Sequence, residues 1–76
     1  MSLDELPEGR RAVLLGYDPA MAESCRRRFE DLGLLPETPI LRERRAPLGD
    51  PIAFRVRGTL LCLRRAEARL ISVRAP

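Results

Sequence analysis

Cys25, Cys62, Ser24 and Thr59 are candidate nucleophiles, and none of them has a histidine to activate it, because the chain contains none. Covalent catalysis is therefore not expected, and each cysteine reads as a small buried hydrophobe. The two thiols lie far apart in sequence, so they form no disulfide framework and both are expected to be reduced. There is no C-x-x-C pair and no acidic loop with calcium-ligand spacing, which leaves direct metal binding without a motif. Asp4-Glu5 and Glu30-Asp31 are adjacent carboxylates, but neighbours on a helix point about 100° apart, so they read as solvated face. The glycines are isolated rather than grouped before a helix, and no phosphate cradle results. The expectation is a protein that is not an enzyme and carries no cofactor.

Arginine is the remaining source of chemistry. Arg42, Arg44, Arg45, Arg55 and Arg57 could line adjacent strands as a phosphate-contacting patch, which makes a small nucleic-acid-binding barrel the alternative reading. Single-strand binders also present aromatic stacking platforms, and here Tyr17, Phe29 and Phe54 are the whole aromatic set, two of them assigned to the core. All 14 basic residues are arginine, the acidic residues number 11, and the net charge is +3. The two signs are interspersed along the chain, so a mixed solvated surface is the simpler account and nucleic acid ranks below it.

These side chains must be positioned by short elements, and the clearest is a hairpin over 46–63. Pro47, Gly49, Asp50 and Pro51 crowd a tight reversal. Ile52, Phe54 and Val56 then alternate with Ala53, Arg55 and Arg57, which places apolar side chains on one face and guanidinium groups on the other. Gly58 with Thr59 turns the chain into a returning strand over 60–63. Upstream, Pro7-Glu8-Gly9 signals a turn before a first strand over 10–16, with Val13 and Leu15 on one face.

Asp18-Pro19 reads as a helix start, and the helix is expected to run to about residue 32. Met21, Ala22, Cys25, Phe29 and Leu32 define its apolar stripe, and Glu23 stands four residues before Arg27 in the favourable orientation. Gly33 and Pro36 end it, after which Leu34 and Leu35 are expected to turn inward. A strand over 38–45 follows, with Pro39 at its start and Ile40 pointing in. Residues 64–68 suit a single tight turn, and a last strand carries Ile71 and Val73 on one face. The fold class is mainly β: a small, strongly bent barrel of about five antiparallel strands, with one α-helix between strands one and two.

With 76 residues there is room for one domain, 1–76, and the 45% hydrophobic content fits a globular chain that folds unaided. There is no apolar run of about 18 residues and no basic, apolar leader, so a cytoplasmic protein without a membrane span is expected.

The chain resembles the FeoA family, the small cytosolic proteins of bacterial ferrous iron uptake. The resemblance is carried by Leu6-Pro-Glu-Gly9, Arg28-Phe-Glu-Asp-Leu-Gly-Leu34, Ala46-Pro-Leu-Gly-Asp-Pro51, Val56-Arg-Gly58, Leu63-Arg-Arg-Ala-Glu-Ala68 and Ile71-Ser-Val73. It departs at Glu37, where the family pattern reads Pro-Gly, so a positive φ there would be strained. The resemblance implies an SH3-like barrel acting as an adaptor for FeoB, the membrane transporter with a cytosolic G-protein domain. On that reading the partner-binding candidates lie on the exposed rim: Leu48 at the loop tip with Gly49 and Asp50, and Arg26 and Arg27 on the polar side of the helix. Exposed edge strands also leave room for a homo-oligomer.

Overall fold

Alternation with a period of two produces strands here at Arg11–Tyr17 (β1), Pro39–Arg42 (β2), Ile52–Val56 (β3), Thr59–Leu63 (β4) and Ile71–Arg74 (β5). The computed structural model describes residues 1–44 and 49–76. Within them the strands form one antiparallel sheet in the order β4-β3-β2-β1-β5, with one longer helix, Glu23–Asp31 (α1), between β1 and β2, and a single helical turn, Arg65–Ala68 (α2), before β5. This is the mainly β, one-helix architecture expected from the sequence. The part of the expected reversal that falls on Ala46, Pro47 and Leu48, and the position of Arg45, lie outside the described residues.

The inner face is built by the alternating positions. Ala12 and Leu14 of β1, Ile40 of β2, Ile52, Phe54 and Val56 of β3, Leu63 of β4, and Ile71 and Val73 of β5 are buried together with Leu3, Leu6, Phe29 and Leu34. Val13 and Leu15 do share a side, but it is the outer one, and Leu15 is exposed. The β1–β5 register skips Leu15, pairing Leu14 with Val73 and Gly16 with Ser72, so a bulge bends β1 at this point. The N-terminal segment covers the far edge: Val73 N–H donates to the Met1 carbonyl, and Ser2 bridges to Ser72. One edge of the sheet is thereby blunted, and β4 forms the other.

Helix α1 begins four residues later than expected from Asp18-Pro19. Asp18 accepts hydrogen bonds from the N–H groups of Ala20, through its carboxylate, and Met21, through its carbonyl, and so closes a turn of its own. The residue before the helix is Ala22, which has no side chain to cap with. The far end follows the sequence closely. Gly33 takes φ +97°, its N–H donates to the Glu30 carbonyl, and the Leu34 N–H donates to the Phe29 carbonyl, the two bonds of a Schellman motif. That geometry drives Leu34 into the core against buried Phe29, whereas Leu35 is exposed, against expectation. The next turn, Leu35 to Thr38, is closed by a bond from the Thr38 N–H to the Leu35 carbonyl, and it puts Glu37 at φ +68°. A type II turn with proline second wants glycine third, so the departure at this position is carried as backbone strain.

The β3–β4 hairpin pairs Val56 with Thr59, so the turn residues are Arg57 and Gly58, one position earlier than expected, at φ +52° and +79°. Two successive positive φ values make a type I′ turn, whose twist matches that of the flanking strands. No helix among the described residues is long and apolar enough to cross a membrane.

Candidate functional site

The rim of the barrel is organised by α2. Arg65 at its start donates through its backbone N–H to Asp50 Oδ1 at 3.1 Å and through Nε to the Gly49 carbonyl at 2.7 Å. Gly49, at φ +74°, and Asp50 are thus held to the barrel by α2, and the carboxylate of Asp50 covers an orphan N–H of that helix. On the other side of α2, Glu67 Oε2 accepts from Arg28 Nη2 at 2.7 Å and from the Cys25 thiol at 3.8 Å, joining α2 to α1. Gly49 and Asp50 on one side and helix α1, which carries Arg26 and Arg27, on the other are therefore joined through α2, with Arg28, Arg65 and Glu67 as the connectors. Sequence reasoning missed these three, because the link is between residues distant in the chain.

Arg26 and Arg27 are exposed on α1 and both meet Glu23 Oε1, Arg27 at 2.8 Å and Arg26 at 3.6 Å. The expected Glu23–Arg27 pair is present, and Arg26 also lines a cleft of about 370 Å³ with Tyr17, Asp18, Met21 and Glu23. Tyr17 Oη donates to the Leu34 carbonyl, and partial burial together with the nearby Glu30 carboxylate pushes its ionisation up to about 12. Leu48, the expected anchor at the loop tip, lies outside the described residues.

Neither cysteine is a core residue. Cys25 is half-buried at the α1–α2 contact and Cys62 is exposed on β4, because its position faces outward in the alternation that buries Leu63. Both are free thiols. Burial and then the Glu67 carboxylate push the Cys25 thiol above its usual range, while Arg28 opposes them. Among the described residues no three of the Cys, Asp and Glu side chains converge in a way that could hold a metal ion.

The arginines expected to form a strand patch divide. Arg42 points inward: only 9% of its surface is accessible, and Nη1 donates to the Leu6 carbonyl at 2.6 Å. It shares the inner face with Ile40 two residues before it, so the period of two that placed Ile40 also buries Arg42. Arg55 stays on the outer face and pairs with Glu43 at 2.7 Å. Arg44 and Arg57 are exposed, and Arg45 lies outside the described residues.

Comparison with known proteins supplies the family. The FeoA domain model matches residues 1–75. Among curated proteins none matches the chain. Among solved structures, the FeoA protein of Chlorobium tepidum is 43% identical with a TM-score of 0.89, over 99% of this chain and 70% of that one. A FeoA-like protein of Clostridium acetobutylicum is 37% identical with a TM-score of 0.83, over 99% of this chain and 85% of that one. The FeoA of Stenotrophomonas maltophilia, solved with zinc, is 29% identical with a TM-score of 0.83, over 96% of this chain and 88% of that one. It is described as an SH3 domain protein suggested to act as a bacterial ferrous iron transport activating factor, and its likeness gives the bent sheet described above its place as an SH3-like fold. With the family model matching residues 1–75 and a 43% identical FeoA protein covering 99% of the chain, the chain belongs to the FeoA family.

Proposed function

We propose that the chain is a cytosolic accessory module of ferrous iron transport, which docks on the cytosolic portion of a FeoB-type transporter and modulates it by binding rather than by catalysis. The observation that carries this reading is the family match over residues 1–75, joined by a relative described as a transport activating factor. The rim around α2 supports it, because it presents exposed side chains on a braced frame: Gly49 and Asp50 are fixed by Arg65, and Arg26 lines an open cleft. Pre-organised surfaces of this kind bind with a lower ordering cost than free loops. In this reading Leu48 serves as the apolar contact, and Arg26 and Arg27 serve as charged contacts.

The test is an affinity pull-down from detergent-solubilised membranes of the native host, with the tagged chain as bait and mass spectrometry as readout. Recovery of a FeoB-type transporter, reduced by Leu48→Asp in a variant that folds normally, is the expected result. Recovery of nucleic acid that salt removes, without the transporter, would overturn it. A folded Leu48→Asp variant that retains the transporter in full would eliminate the loop tip as an anchor.

A further inference from the structure

The outer face of the sheet carries a second surface, distinct from the rim. In the strand register Arg11 of β1 stands opposite Leu41 of β2, Leu41 opposite Arg55 of β3, and Arg55 opposite Leu60 of β4. Neighbouring strands lie about 4.8 Å apart, so these side chains form one row in which charge and aliphatic surface alternate. Leu60 is 50% exposed and adds aliphatic surface at the β4 end of the row. Beside the row, Arg11, Pro39, Leu41, Arg55 and Arg57 line a groove of about 240 Å³.

The charges on this face are unbalanced. Arg55 has a carboxylate partner in Glu43 at 2.7 Å, while Arg11 and Arg57 have none within 4.0 Å among the described residues. The Glu43–Arg55 contact is a carboxylate paired with a guanidinium on this same face. It also argues against a nucleic acid strand, since Glu43 sets a negative charge among the few cations available and both phenylalanines are buried.

We infer that the row Arg11, Leu41, Arg55 and Leu60, with Arg57 at its margin, is a docking surface for an acidic segment of a protein partner, one in which carboxylates flank an aliphatic side chain. The aliphatic group lies over Pro39 and Leu41, and the flanking carboxylates reach Arg11 and Arg57. The inference rests on the adaptor reading only in taking the partner to be a protein.

The test is an NMR titration of the isotope-labelled chain with a capped peptide of one leucine between two pairs of glutamates. A matched peptide with glutamines and a short oligothymidylate serve as comparisons. The expected result is a set of shift changes centred on Arg11, Leu41, Arg55 and Leu60, weakened by salt and weaker by about tenfold in the Arg11→Gln, Arg57→Asn double variant, the size expected for losing two charge-assisted contacts. Arg57→Asn is chosen because asparagine suits the type I′ turn, so the hairpin is preserved while the charge is removed. Equal binding of the glutamine peptide, preference for the oligothymidylate, or shifts located elsewhere would overturn the inference. Pull-down with the same double variant separates the two readings. If the wild-type chain and the variant retain the transporter equally, this surface is not its docking site and the adaptor reading stands. If the wild-type chain binds the acidic peptide here but recovers no transporter, the surface stands and the adaptor reading fails.

Discussion

Glu37 Oε2 and Arg74 Nη2 meet at 2.9 Å, and the residue that accepts this contact is held at a left-handed φ of +68°. A favourable side-chain contact thus coexists with an unfavourable backbone at one position. Left-handed backbone costs a residue with a Cβ about 1–2 kcal/mol, while an exposed ion pair contributes about 0.2–1 kcal/mol and glycine adds about 0.4–1 kcal/mol of unfolded-chain entropy. The terms nearly cancel, so Glu37→Gly is expected to leave stability within about 0.5 kcal/mol of the parent. Glu37→Val, which loses the ion pair and makes the backbone worse, is expected to cost about 2 kcal/mol. Denaturant unfolding of the two variants checks the contrast, and equal stabilities would show that the turn relaxes away from positive φ.

Arg42 is the buried cation of the core, held by its bond to the Leu6 carbonyl, and its Nε has no partner among the described residues. Part of its contribution is the packing of its aliphatic stem. Arg42→Ala removes both the stem and the donor and is expected to cost about 3 kcal/mol. Arg42→Met keeps the volume and removes a buried charge that is incompletely satisfied, so it is expected to cost no more than about 1 kcal/mol. The difference corresponds to a separation in Tm of roughly 8–16 °C for a domain of this size, which a thermal melt resolves.

Tyr17 offers a test in the alkaline range. Its phenol ionises near 12 in the folded chain and near 10 when unfolded, so the neutral form is the one the fold favours. The stability linked to it is fully present below pH 10 and falls as pH rises from 10 towards 12. Near-ultraviolet titration is expected to show phenolate appearing only in that upper range. Tyr17→Phe is expected to remove this pH dependence and to cost about 1 kcal/mol at neutral pH, because the Leu34 carbonyl loses its donor.

The hairpin of β3 and β4 was legible because Ile52, Phe54 and Val56 repeat every second residue and Gly58 marks the reversal, both local signals. The end of α1 was legible for the same reason, through Gly33. Its start was not, since Asp18 uses its carboxylate on the Ala20 N–H and no side chain caps the helix itself. Arg42 has a residue type that reads as wet at a strand position that matches inward-facing Ile40, and the position prevails. At the cysteines too, residue type points inward while the fold does not follow it: Cys62 faces outward on β4 and Cys25 is half-buried at the α1–α2 contact. At the rim, Arg65 and Glu67 join segments remote in sequence, and nothing short of the fold reveals that.

The two thiols should differ in reactivity. Cys62 is exposed on β4, whereas Cys25 is half-buried beside Glu67, which together with burial holds its thiol above the usual range. Alkylation requires thiolate, so at mildly alkaline pH iodoacetamide is expected to modify Cys62 first. Glu67→Gln removes the repelling charge and is expected to accelerate Cys25 several-fold without changing Cys62. Mass spectrometry of the modified peptides checks both, and a Cys25 rate unmoved by Glu67→Gln would show that burial alone protects it.

Arg57→Asn carries the last prediction, because it separates what the turn needs from what the surface uses. The turn at Arg57-Gly58 requires positive φ at both residues, and arginine adopts +52° at a cost that asparagine largely avoids. Against this stands the arginine stem, whose Cδ would lie only 3.9 Å from a Cβ placed on Gly33, so the side chain runs close to the end of α1. That contact is at the surface and loses little on truncation, whereas the backbone term acts on every folded molecule. Arg57→Asn is therefore expected to raise stability by about 0.5–1 kcal/mol in denaturant unfolding. A loss of stability instead would mean that the stem, bridging hairpin and helix end, outweighs the strain of the turn, and that the arginine is kept for the fold. A gain would leave its presence to be accounted for by what its guanidinium contacts from outside.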